Sequence, residues 1–264
     1  MASVAALYRY PVKGFTPEVR EQIVVQDDGR VEGDRVLAFR FADAVEPEVE
    51  DGLPYWPKKR GLALMDMPSL ARLKLSYDSH RRWLTISDGD RMLVDAALDD
   101  AGRREIEDSV TAWLRETSDA RHLERPGRLP LRLIGDGVTS QFQDRPRGYV
   151  SVHAAASVVE LGRATDGVVD DRRFRSNIVV AGIAPWSELE WQGRVRIGDV
   201  VFAVQRPIVR CAAIMANPDT GQRDAPLLRT LTREFGQSAP TLGMLLLPKS
   251  GGGVLRIGDP VEVA

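Results

Sequence analysis

Short apolar runs, broken by turns rich in glycine and aspartate, set the tightest limit on what this chain can become. Val4 to Tyr10, Ile23 to Gln26, Val36 to Phe41, Leu73 to Tyr77, Trp83 to Ser87 and Met92 to Asp95 are apolar or alternate in polarity. That is the signature of strands a few residues long. The pattern resumes at Ile178 to Val180, Val195 to Ile197, Val200 to Gln205, Thr241 to Leu247, Val254 to Ile257 and Val261 to Val263. Asp88-Gly89-Asp90 fits a hairpin turn between two of these runs. Arg-Ile-Gly-Asp occurs twice, at Arg196–Asp199 and Arg256–Asp259, and each copy is expected to close a tight hairpin.

Helical spacing is rarer. Asp99 or Asp100 can cap a helix to about Glu116, with Ile106, Val110, Trp113 and Leu114 on one face. Ala154 to Leu161 fits a short helix ending at Gly162, and Asp224 is expected to cap another that ends at Gly236. Ser69 to Leu75 fits either helix or strand. Many short strands with a few helices predict an α+β protein, predominantly β and barrel-like. The polar stretch Thr117 to Arg128 marks the expected boundary, dividing the chain into 1–120 and 121–264.

Composition narrows the chemistry. The net charge of -2 offers no general field for nucleic acid. No apolar run nears the roughly 20 residues of a membrane helix, so neither partner is expected. Met1 to Tyr10 lacks the basic start and apolar stretch of a secretory signal, which makes the cytoplasm the expected compartment. One cysteine rules out an internal disulfide framework, a zinc site built on several cysteines and a four-cysteine iron–sulfur cluster. The three histidines, His80, His122 and His153, show no metal-ligand spacing, and His153 suits a cap or packing role. Gly251-Gly-Gly253 leads into a strand rather than a helix and so reads as a turn, not a phosphate loop.

Three segments remain that can carry chemistry. Cys211 follows an apolar strand and opens onto Asn217-Pro-Asp-Thr-Gly221. Taken alone it is equally a small buried hydrophobe, but Arg206 and Arg210 nearby favour the thiolate, the form that binds soft metals. In Arg172-Arg-Phe-Arg-Ser-Asn-Ile-Val-Val180, Arg175 offers a planar fork for phosphate and Asn177 both donates and accepts. The same stretch also fits a solvated basic turn. Tyr10-Pro-Val-Lys-Gly14 and Gly33-Asp-Arg35 place Lys13 and Arg35 on separate loops that can converge on one anion or simply face solvent. Trp56-Pro-Lys-Lys-Arg60 is a basic loop with the same two readings.

Taken in order, these segments resemble the MOSC family, named for the C-terminal domain of molybdenum cofactor sulfurases. Tyr-Pro-Val-Lys and Gly-Asp-Arg resemble the N-terminal β-barrel domain that accompanies it. Arg-Phe-Arg-x-Asn-Ile-Val-Val, Ile-Gly-Asp-Val, Arg-Cys and Asn-Pro-Asp-Thr-Gly resemble the MOSC domain itself. Two-domain members include the mitochondrial amidoxime reducing component and bacterial relatives. The resemblance implies a molybdenum cofactor (molybdopterin) whose metal is ligated by Cys211, making this the catalytic residue. Lys13, Arg35, Arg175, Asn177 and Arg210 then contact the pterin or its phosphate. It further implies reduction of N-hydroxylated or N/S-oxide small-molecule substrates, with electrons from a separate flavin or iron–sulfur protein. The alternative is a non-catalytic carrier that holds cofactor, or sulfur as a Cys211 persulfide. Gly14, Ser176 and Pro207-Ile-Val209 depart from the family pattern, where serine, proline and a second cysteine or small polar residue are common.

Overall fold

A computed structural model describes all 264 residues except Asp166, Ser250 and Ala264. Its centre is an eight-stranded sheet. Across it run Val261–Val263, Arg194–Ile197, Val200–Val209, Thr241–Pro248, Val150–Ala154, Ile178–Ala181, Ser3–Arg9 and Glu18–Arg20. Val150–Ala154 and Ile178–Ala181 pair in parallel. Parallel neighbours need a crossover, and the helix Ala155–Arg163 lies within the connection. The other pairs in this sheet are antiparallel. Ser3 bridges Pro260, Val4 N–H donates to Asp259 O at 2.9 Å and Val261 N–H to Ala2 O at 3.0 Å. These contacts bring the two ends of the strand order together, so the sheet curls in a barrel-like way and the α+β, mainly β class holds.

The first half builds smaller sheets around a separate core. Leu73–Asp78, Trp83–Asp88 and Arg91–Ala97 form a three-stranded meander, and Ala38–Arg40 pairs with Arg132–Ile134. The helix Asp100–Arg115 buries Ile106, Val110, Trp113 and Leu114 against this core. Asp99 caps it, accepting from Gly102 N–H at 2.8 Å. The two cores are threaded together by the N-terminus. Val4, Leu7, Ile23, Val25 and Val31 pack with the large sheet, while Val12 and Phe15 between them pack with the first-half core.

Several local expectations are corrected. Asp224 caps no helix: its carboxylate is taken by Arg173 and Asn217, and the helix runs only Leu227–Arg233 after Pro226. Ser69 to Leu75 splits into a 3-10 turn, Pro68–Arg72, and a strand from Leu73. The first Arg-Ile-Gly-Asp closes a hairpin, with Ile197 opposite Val200. The second does not. Gly253–Arg256 pairs with Gln22–Val25, whereas Val261–Val263 pairs with Arg194–Ile197. The same tetrapeptide therefore turns the chain from one sheet to another, because long-range pairing, not the turn residues, picks the neighbour.

Candidate functional site

The strand Val200–Val209 slips register around Arg206 and Pro207 and then stops. Proline cannot donate to a ladder, which favours such irregularity. Arg210 and Cys211 follow, and Cys211 stands in extended conformation before the 3-10 turn Ala212–Met215. Arg210 fixes this corner. Its backbone N–H donates to Pro240 O at 2.7 Å, its Nε to Leu242 O at 2.7 Å and its Nη1 to Phe174 O at 2.6 Å. Its guanidinium lies 5.6 Å from the Phe174 ring centroid, and its buried Nη2 has no partner among the described residues. Gly243 makes room: at φ +80°, a Cβ there would come 2.5 Å from Val152 O and 2.9 Å from Arg210 Nη2.

Arg175 comes from the next layer. It sits in left-handed conformation after the turn Asp171–Phe174. Its Nη1 donates to Phe15 O, and its guanidinium lies 4.4 Å from the Tyr10 ring centroid. Arg35, also left-handed, lies 5.1 Å from the same ring. Asp34 ties these pieces together. It pairs with the Arg35 guanidinium and accepts from Tyr10 N–H at 2.8 Å and Asn177 Nδ2 at 3.3 Å. Lys13 Nζ donates to Trp56 O at 2.7 Å and pairs with Asp144 at 2.8 Å. Gly14 explains its own departure from serine, for its φ of +84° and a Cβ 2.9 Å from Leu62 O both disfavour a side chain.

Lys13, Arg35, Arg175, Arg210 and Cys211 thus line one cavity of about 980 Å³. Lys58 and Lys59 of the basic loop join them, as do Arg145 and Arg147, which the sequence reading left out. Asn177 stands elsewhere. It is buried behind the wall, where its Oδ1 accepts from Ser151 Oγ at 2.9 Å and its Nδ2 donates to Tyr8 O at 3.3 Å as well as to Asp34. Its role here is to fasten the strand Ile178–Ala181 to its neighbours.

Burial and pairing set the charges. Burial pushes Arg175 and Arg210 down to about 10, yet a guanidinium stays cationic at neutral pH. Burial also lowers Lys13 despite Asp144, whereas Asp34 outweighs burial at Arg35 and raises it. Behind Arg210 lies His153, fully buried 5.7 Å from Phe174, with neither ring nitrogen partnered among the described residues. Burial, then Arg210, pushes it down to about 3, so it packs as a neutral ring. Glu188, also fully buried, accepts from Ser157 Oγ at 2.8 Å, and burial raises its carboxyl.

The arrangement suits a metal that brings its own ligands. Among the described residues no group of three or more His, Cys, Asp or Glu is placed to hold an ion. One thiol beside several buried cations instead fits an anionic organic ligand carrying a soft metal. The unpartnered Arg210 Nη2 marks a donor left over in that wall.

Fold and site define the class: a mainly β protein that sets a lone thiol among half-buried arginines and a buried lysine in one large cavity. Residues 139–262 match the MOSC domain. Molybdenum cofactor sulfurase of Drosophila grimshawi is 41% identical over 113 residues, 41% of this chain and 14% of that protein. Molybdenum cofactor sulfurase of Caenorhabditis briggsae is 33% identical over 141 residues, 53% of this chain and 19% of that protein. Mitochondrial amidoxime reducing component 2 of Rattus norvegicus is 35% identical over 117 residues, 40% of this chain and 34% of that protein. The matched segments span between 14% and 34% of these curated relatives' own lengths. No described helix is long and apolar enough to cross a membrane.

Proposed function

We propose that the cavity binds a molybdenum cofactor, with Cys211 as the protein's ligand to the metal and Lys13, Arg35, Arg175 and Arg210 around the anionic end of the pterin. The observation that carries this is the convergence of the lone thiol and these four cations on one cavity. Bound there, the cofactor supplies two-electron redox chemistry and oxygen-atom transfer. The chain's residues do the rest. Arg210, held by three backbone carbonyl or amide bonds, keeps the Cys211 corner in place. Ile208, Ala213 and Ile214 line the same cavity and shield the thiol side from water.

The reaction class is reductive removal of oxygen from N-hydroxylated or N/S-oxide compounds. An amidoxime with two electrons and two protons gives an amidine and water. The electrons come from a separate flavin or iron–sulfur protein, and the setting is the cytoplasm. Production in a host that makes the cofactor, followed by metal analysis and X-ray absorption, tests the reading. The expected result is stoichiometric molybdenum whose sulfur count drops by one in Cys211→Ala. Protein without molybdenum, or an unchanged sulfur shell in the variant, overturns it.

A carrier role has support of its own, since molybdenum cofactor sulfurases recur among the relatives and the Cys211 thiol is only partly buried. A labile extra sulfur on Cys211, found by mass spectrometry with no bound pterin, would favour it.

A further inference from the structure

The cavity carries far more positive charge than the end of one pterin needs. Ten lysines and arginines line it against three carboxylates, a surplus of seven positive charges in a chain whose net charge is -2. Seven of the ten make no ion pair among the described residues: Arg175, Arg210 and the five residues Lys58, Lys59, Arg145, Arg147 and Arg206. Four of these five are exposed and Lys58 is half-buried, so they form a solvent-facing part of the cavity that Cys211 also lines. Like charges gathered in a concave mouth repel one another and focus a positive potential inward. A volume of about 980 Å³ lies near the top of the usual range for small-molecule pockets, roughly 300–1,000 Å³. It has room for a second ligand beside a cofactor.

We propose that this mouth is a second anion subsite, and that the substrate is a small molecule bearing a carboxylate or phosphate remote from its reducible group. The anion rests among Arg145, Arg147, Arg206, Lys58 and Lys59 while the other end points toward Cys211. Concavity favours a small anion over an acidic protein surface, because these charges converge on the interior they share with the thiol. The proposal rests on the cofactor reading for the identity of the reacting end, but its charge argument stands without it.

Calorimetry on the full chain as purified tests it, with benzamidoxime and 4-carboxybenzamidoxime as the probes. The carboxylated compound is expected to bind about tenfold tighter, the effect of a few opposite charges across a wet cavity, and the preference should shrink with added salt. It should vanish in Arg145→Glu/Arg147→Glu, and equally in Lys58→Glu/Lys59→Glu, a second variant in case the first fails to fold. Equal binding, no binding of either probe, or a preference that survives both variants overturns the proposal, the last outcome pointing to a protein partner at the mouth. The mass of the released pterin is a further check, since a nucleotide extension would put the cofactor's own phosphate at this mouth and overturn the proposal too. Molybdenum content of the same batches separates the two readings. Metal-free protein that keeps the anion preference defeats only the cofactor assignment.

Discussion

The two walls of the cavity hold their buried cations differently. On the N-terminal wall, Lys13 and Arg35 each face a carboxylate, Asp144 and Asp34. On the C-terminal wall Arg173 pairs with Asp224, but Arg175 and Arg210 face no carboxylate. They are held by the carbonyls of Phe15, Phe174 and Leu242 and by the rings of Tyr10 and Phe174. Carbonyls and rings orient a guanidinium without cancelling its charge. Burying such a charge unpaired is costly, and an incoming anion relieves that cost. Lys13 and Arg35 are therefore already neutralised, whereas Arg175 and Arg210 keep their attraction for a ligand.

The largest expected effect comes from breaking the neutralised wall. Asp34→Ala leaves Arg35, the Tyr10 N–H and the Asn177 amide without their acceptor. Loss of one partner of a buried pair costs about 3–5 kcal/mol, and urea denaturation should show a drop of that size. Next is the wall that keeps its charge. Arg175→Met should lower bound molybdenum at least about tenfold, since charge-assisted bonds contribute roughly 1.5–3 kcal/mol, while the melting temperature moves little. Lys13→Met should lower metal content less, and equal losses in the two variants would erase the distinction between the walls.

A pH effect sharpens the picture behind Arg210. His153 is neutral in the folded chain, pushed down to about 3, while an unfolded histidine titrates near 6.5. The unfolded state therefore binds the extra proton first. This stabilisation is complete above about pH 6.5 and is lost as the pH falls from there toward 3, by about 1.4 kcal/mol per pH unit at most. The difference between wild type and His153→Leu isolates it from Glu188, whose raised carboxyl acts in the opposite sense. The smallest effect belongs to Asp144→Asn. Its side chain is half exposed, so stability should change by less than about 1 kcal/mol, while inorganic pyrophosphate binding tightens as Lys13 is freed.

Much of the site was legible because its residues sit at breaks in the strand pattern. Cys211 and Arg210 follow a strand, Arg175 precedes one, Lys13 comes just before Gly14 and Arg35 just after Gly33-Asp34. Face was not legible. Arg175 and Asn177 are two apart, which in an extended chain puts them on one side, but Arg175 is left-handed at φ +54°. The alternation breaks there, and Asn177 turns into the packing. Of the two carboxylates that set the balance between the walls, Asp34 adjoins Arg35 in sequence, but Asp144 is remote from Lys13 and carries no local signal. Asp34 meets Asn177 across 143 positions, and Arg175 reaches Phe15 across 160.

The sequence by itself determined most of the strands, though not the central Val150–Ala154, and with them the long capped helix, the lone thiol and the supply of cations, because periodicity, turn chemistry and side-chain type are local properties. Only the tertiary structure decided which cations are buried, which are cancelled and which of two identical Gly-Asp turns closes a hairpin. Those outcomes depend on distance and on exclusion of water, and both are set by segments far apart in the chain.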